Sequence, residues 1–245
     1  MNVQTDEKRP TALEMQSSPK VICLGEAVVD RLGPLGEDTT KSQPDRCENK
    51  LGGAPANVAC ALARLGTPTA FIGRLGRDEF GEAFVRLLTS RGVRLEGLQR
   101  DEERPTRIVF VRRQNNGERI FQGFANSKGK GFSDQALDCL ELSKCWNMLV
   151  PQAEWLLIGT IPLASSASAK SLLWALEMAK ERGMRIALDI NWRPTFWNTN
   201  QRSNEGPNRK SKIAMEPLIN AASLLKLAKE EAIWLFGTND ASAIS

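Results

Sequence analysis

The chain has 245 residues, 41% of them hydrophobic and 25% charged, which is the composition of a soluble globular protein of one large domain or two small ones. It contains no histidine and no tyrosine, so Ser–His–Asp hydrolysis, Cys–His proteolysis, histidine-ligated zinc and proximal-histidine haem are all excluded. The net charge of +4 gives no nucleic-acid face, because residues 198–212 alone hold Arg202, Arg209, Lys210 and Lys212 against Glu205.

Residues 1–19 carry Asp6, Glu7 and Glu14 and no apolar run, so they read as a disordered tail rather than a secretory or transit segment. No window approaches the roughly 18 uninterrupted apolar residues of a membrane span, so a membrane partner is not expected. Cys23, Cys47, Cys60, Cys139 and Cys145 form no C-x-x-C pair and are odd in number, which points to a reducing compartment and a cytoplasmic location.

From residue 20 onward short apolar runs alternate with helical stretches. VICLG (21–25) reads as a buried strand. A helix over Pro55–Leu65, with Val58, Leu62 and Leu65 on one stripe, stops at Gly66. TAFIG (69–73) is the next strand, and Glu79–Arg91 the next helix, closed by Gly92. The rhythm resumes with WLLIG (155–159), a helix over Ala167–Arg182 and the strand RIALDI (185–190). It ends with a helix over Ile213–Ala222, the strand SLLKL (223–227) and a helix over Lys229–Phe236. Such alternation predicts an α/β fold with a mostly parallel sheet between helices.

Two segments interrupt it. Residues 31–51 are polar and turn-rich, and 104–124 read as a hairpin turning at Asn116-Gly117. Both are expected to form a small β lid whose Arg107, Arg112, Arg113 and Arg119 face solvent. Residues 198–212 lack periodic apolar positions and read as a mobile loop.

The densest glycine feature is Leu51-Gly52-Gly53-Ala54-Pro55-Ala56-Asn57, which runs into a helix. Paired glycines let backbone approach a ligand, and a helix start offers free N–H groups; a tight structural loop is the plain alternative. It is no P-loop, since five residues separate Gly123 from Gly129-Lys130. It is no dinucleotide fingerprint either, because VICLGEAVVD lacks the later glycines, which argues against an oxidoreductase.

The segment LGGAPANVACALARLGTPTAFIGRLG, with Gly52, Gly53, Pro55, Asn57, Ala59, Gly66 and Gly76, resembles the amino-terminal signature of the ribokinase-like (PfkB) carbohydrate kinases. LGEAVVD, RDEFGEAFVRLLTSRGV, LDINWRPTFW and KLAKEEAIWLFG resemble its fructokinase branch, in order, from Val21 to the chain end. The resemblance implies a ribokinase-like fold with a β lid, and ATP- and Mg2+-dependent phosphoryl transfer to a sugar hydroxyl. It also implies a possible homodimer through the lid. Residue by residue, Asp30, Gly52, Gly53 and Asn57 match the family's sugar-binding positions. Asp189, Asn191 and Arg193 match its segment near the transferred phosphate, and Glu231 matches its glutamate associated with magnesium and phosphate. Each has a plain reading beside this one: Asp30 as a turn cap, Asp189 as a loop anchor, Glu231 as a surface carboxylate.

The sequence departs from the family's pattern in three places. No Gly-Ala-Gly-Asp segment occurs, which in the family supplies the anion hole and the catalytic base. Ala228-Lys229 stand where relatives have a polar residue followed by an acid, and FQGFANSKGKGF lacks the lid arginine of many fructokinases, with Ala125 near that position. The expectation is therefore a truncated kinase carrying the sugar-binding part, inactive by itself and poorly soluble. The alternative is a non-catalytic regulatory or interaction protein of the same fold.

Overall fold

The computed structural model describes residues 18–125, 129–197 and 205–244. The first 17 residues of the expected tail, and 198–204 of the expected loop, lie outside them.

Strand β1 (Val21–Leu24) passes through Gly25–Ala27 directly into β2 (Val28–Leu32), which belongs to a second sheet. After β3 (Glu48–Gly52) come α1 (Ala54–Arg64), β4 (Thr69–Gly76), α2 (Glu79–Ser90) and β5 (Leu98–Asp101). The hairpin β6 (Ile108–Arg113) and β7 (Arg119–Phe124) leads to α3 (Cys139–Leu149) and β8 (Trp155–Gly159). Then follow α4 (Ser166–Glu181), β9 (Arg185–Asp189), α5 (Pro194–Trp197) and α6 (Arg209–Ala221). Strand β10 (Leu224–Lys226), α7 (Lys229–Phe236) and α8 (Ala241–Ile244) complete the order.

The main sheet has strand order β10-β9-β8-β1-β4-β5 and every described pairing in it is parallel. Period-two alternation assigns its side chains to two cores. Ile22, Leu24, Ile72, Leu156, Ile158, Ile186 and Leu188 face α3, α4 and α6, meeting Leu142, Trp146, Leu172, Leu176 and Met215. Cys23, Phe71 and Leu75 point the other way, toward Ala56 and Ala59 of α1 and Phe84 and Leu88 of α2.

The second sheet, β3-β2-β6-β7, is the lid. Strand β2 pairs parallel with β6 and antiparallel with β3, and the hairpin bulges at Phe110/Val111. Arg119 is exposed as expected, but the other lid arginines are not a solvated face. Arg107 is 3% exposed, its Nε lies 3.0 Å from Asp134 Oδ2, and Phe124, Phe132 and Phe196 surround its guanidinium at 4.6–4.7 Å. Arg112 Nη2 donates to Gly36 O (2.7 Å) and Arg113 Nε to Gly33 O (3.0 Å), tying the 33–47 loop to the hairpin. Arginine heads, unlike lysine heads, can be buried where planar acceptors and ring faces receive them.

The segment expected as a mobile loop ends earlier than its composition suggests. Asn208 caps α6 by accepting the Ser211 N–H at 2.9 Å, so Arg209–Lys212 form a helical turn. Helix α3 and strand β5 were not anticipated. Leu142, Cys145, Trp146 and Leu149 form a proper helical stripe behind an Asp138 cap, whereas Leu-Gln-Arg-Asp is too polar to read as a strand.

Candidate active site

The strand order reverses between β1 and β8, so loops leave their carboxyl ends in opposite directions and open a crevice there. Gly25–Ala27 follows β1 into that crevice, and Asn191–Phe196 enters it after β9. The lid strands β2, β6 and β7 roof it. The result is a cavity of about 540 Å³ bounded by Asp30, Asn57, Val109, Arg119, Arg193 and Phe196, among others.

Asp30 lies on β2, half-buried. Burial pushes its pKa up, while Arg119 and Arg193 pull it down. Its Oδ2 sits so close to Gly52 that a Cβ there would meet it at 3.1 Å. Gly53 has φ +99°, and a Cβ on it would lie 2.5 Å from Glu26 O. No other residue fits that position, which explains the paired glycines physically. Gly53 is the N-cap of α1, and Asn57 one turn further on is exposed into the cavity.

Asn191 has φ 41°, the only positive φ outside glycine among the described residues, and asparagine is the side chain that tolerates it best. The conformation turns the chain sharply after β9 so that Arg193, exposed, reaches the cavity while Trp192 is buried. Thr160 fixes the base of this turn by donating to Ile190 O at 2.5 Å.

Glu231 is 4% exposed on the first turn of α7. Its Oε1 accepts the Trp192 N–H at 2.6 Å and its Oε2 accepts the Ala228 N–H at 2.7 Å. The carboxylate clasps the 190–196 loop to the start of α7. Asp189 Oδ1 lies 2.9 Å from Lys226 Nζ, an electrostatic contact across adjacent strand ends. Magnesium takes oxygen ligands in near-octahedral array. Among the described residues no group of three or more His, Cys, Asp or Glu could hold a metal. With Glu231 engaged by backbone and Asp189 beside an ammonium, these carboxylates do not fit direct magnesium coordination, so the metal role expected for Glu231 finds no geometry here.

A second, smaller cavity of about 280 Å³ adjoins the first and shares Glu26, Ala54, Ile161 and Asn191 with it. It is bounded by Leu157, Gly159, Ala187, Asp189, Leu224 and Lys226, the same-face residues of β8, β9 and β10.

Of the residues singled out from sequence, Asp30, Gly53, Asn57, Asn191 and Arg193 bound the larger cavity. Gly52 backs Asp30, Asp189 bounds only the smaller cavity, and Glu231 braces the loop from behind. Glu26, Arg107 with Asp134, and Lys226 escaped the sequence reading. Glu26 alone left a signal, a carboxylate set between the apolar runs VICLG and AVV.

The family described as pfkB family carbohydrate kinase matches residues 18–244. Probable fructokinase-5 of Arabidopsis thaliana is 31% identical over 221 residues, 90% of this chain and 63% of the relative. A fructokinase of Escherichia coli is 32% identical, over 87% and 62% of the two chains. Curated relatives of this kind are matched over between 53% and 66% of their own length. Among solved structures, Xylella fastidiosa fructokinase with bound ATP superposes with a TM-score of 0.73 at 26% identity, over 92% of this chain and 67% of the other. Vibrio cholerae fructokinase in apo form gives 0.72 at 30%, over 93% and 70%.

Proposed function

This chain belongs to the pfkB family of carbohydrate kinases, and from that premise we propose that it is the sugar-binding part of a fructokinase-like, ATP-dependent sugar kinase. The observation that carries the reading is the roofed cavity that brings Asp30, Asn57, Arg119 and Arg193 together at the switch point of the sheet. Asp30 and Asn57 are suited to vicinal hydroxyls, an acceptor and an amide held by a strand and a helix start, so that one hydroxyl is fixed in orientation. Gly52 and Gly53 let the sugar approach backbone. Arg193, placed by the Asn191 turn and the Glu231 clasp, offers positive charge where a phosphoryl group would be transferred.

ATP, when bound, would supply the phosphoryl group, and we place its phosphates on the Asp189–Asn191–Arg193 side. No step is assigned to magnesium, which would be held by the phosphates and water rather than by Glu231. The sequence contains no Gly-Ala-Gly-Asp segment, and we assign no group in it to take the hydroxyl proton. We therefore expect these 245 residues to bind sugar with little or no turnover. Five free cysteines favour a reducing, cytoplasmic setting. Among the described residues the outer edges of β3 and β7 are unpaired, which favours a homodimer through the lid, and light scattering checks it.

Calorimetry with fructose and with ATP, paired with a coupled ADP-release assay, tests the reading. Fructose binding with negligible ADP release supports it. Turnover at the level of an intact kinase overturns the inactivity. Binding of neither ligand overturns the kinase reading in favour of a non-catalytic interaction protein.

A further inference from the structure

Glu26 sits where the chain leaves the parallel sheet and enters the lid, between β1 and β2. It is 3% exposed and bounds both cavities, so it forms part of the wall between them. Its Oε1 accepts the Ala54 N–H at 3.3 Å, on the first turn of α1. Its Oε2 is buried and has no hydrogen-bond partner among the described residues. An unpartnered buried carboxyl oxygen costs about 1–3 kcal/mol or more, and native proteins keep such groups where a ligand completes them. Two close backbone approaches hold the residue in place. Gly25 packs on Pro55 so tightly that a Cβ would lie 2.5 Å from Pro55 Cγ, and Gly53 abuts Glu26 O.

We propose that Glu26 is a further sugar-binding residue, whose Oε2, as a carboxylate, accepts a hydrogen bond from a substrate hydroxyl seated between Asp30 and Asn191. The inference rests on the sugar-kinase reading above. The terminal torsion of a glutamate is broad, so turning Oε2 toward a ligand costs little. Two carboxylates of different environment then grip the sugar, Asp30 facing Arg119 and Arg193, and Glu26 facing the apolar floor of the crevice.

The charged groups around Glu26 fix the pH behaviour. Burial pushes its pKa up to about 7, the backbone N–H groups of Glu26 and Ala54 pull it down, and Asp134 and Asp189 push it up. Asp134 is itself paired with Arg107, and Asp189 with Lys226; Asp30, Arg119 and Arg193 lie across the larger cavity. A hydroxyl donating to Oε2 favours the ionised form. Sugar affinity is therefore expected to rise with pH through neutrality, and bound sugar to lower the Glu26 pKa.

The experiment is fructose calorimetry on the wild-type chain and Glu26→Gln from pH 6 to 8.5. Carbon-13 NMR of the glutamate carboxyls, with and without fructose, accompanies it. The wild type is expected to bind about tenfold more tightly at pH 8 than at pH 6. E26Q is expected to be about tenfold weaker at pH 8 and flat with pH. Fructose should lower the titration midpoint of the Glu26 carboxyl. If E26Q fails to fold, that NMR shift in the wild type decides. Wild-type binding with no pH dependence and an unmoved Glu26 midpoint overturns this inference and leaves the sugar-site reading standing. A wild type that binds no sugar at any pH overturns both.

Discussion

On one face of the six-stranded sheet, α3, α4 and α6 pack along its length and bury Leu24, Ile158, Ile186 and Leu188. On the other, α1 and α2 cover the half made by β1, β4 and β5, burying Cys23, Phe71 and Leu75. Toward β10 that second face opens among the described residues, although Leu157 of β8 still packs on the α1 side and Ala187 of β9 is buried. Leu157, Ala187 and Leu224 border a cavity there, and Leu224 is 57% exposed. Strands of a parallel sheet carry apolar residues on both faces whatever covers them. The contrast therefore separates residues that hold the fold from residues that meet a ligand. The closed half has its glycines and helices locked together, and the reactive groups Glu26, Asp189 and Lys226 gather where closed gives way to open.

Phe84→Ala, on α2 at 1% exposure, probes the closed half and should cost about 3–5 kcal/mol in urea unfolding. Leu224→Ala, on the open half, should cost less than about 1 kcal/mol, because water already reaches most of the side chain. Equal losses would erase the distinction.

The lid's anchor should behave as part of the closed half. Arg107→Ala leaves Asp134 buried at 5% side-chain exposure without its ion-pair partner and should cost about 3–5 kcal/mol. Arg107→Leu combined with Asp134→Leu should recover much of that. A double variant no more stable than R107A would mean the phenyl cage, not charge burial, sets the cost.

Stability against pH sharpens the boundary itself. Burial raises the Glu26 pKa in the folded chain to about 7 from its ordinary value of 4.5. The stability it contributes is complete below about 4.5 and is lost as pH rises through 7, by roughly 3 kcal/mol in all. Urea midpoints for the wild type should fall over that window relative to E26Q, which has no carboxyl to ionise. Parallel curves would place Glu26 in a wetter setting than its burial indicates.

The smallest effect concerns the turn after β9. Asn191→Ala, at φ 41°, should cost about 1 kcal/mol, and Asn191→Gly close to nothing in stability. If both variants lose sugar affinity equally while only alanine loses stability, the side-chain amide and not the turn serves the ligand.

The alternating rhythm was legible because most of the buried parallel strands are apolar runs and α1, α2 and α4 are followed by glycine, at Gly66, Gly92 and Gly183. The glycine pair was legible too, since a glycine at φ +99° against Glu26 O has no substitute. What escaped depends on distant contacts. Arg107 reads as a surface arginine until Asp134 and three phenyl rings from separate segments close round it. Glu231 reads as a helix-surface acid until the Trp192 and Ala228 N–H groups claim both oxygens. Composition placed the 198–212 segment in a loop, and a single capping asparagine at 208 returned its last four residues to a helix.

The central claim, that the crevice under the lid is a sugar site, stands or falls on Asp30. Fructose titrated calorimetrically into the wild-type chain and into Asp30→Ala, both verified to unfold cooperatively, tests it directly. Saturable wild-type binding with one sugar per chain is expected, with at least about thirtyfold weaker binding to D30A. Wild-type and D30A isotherms that superimpose would contradict it.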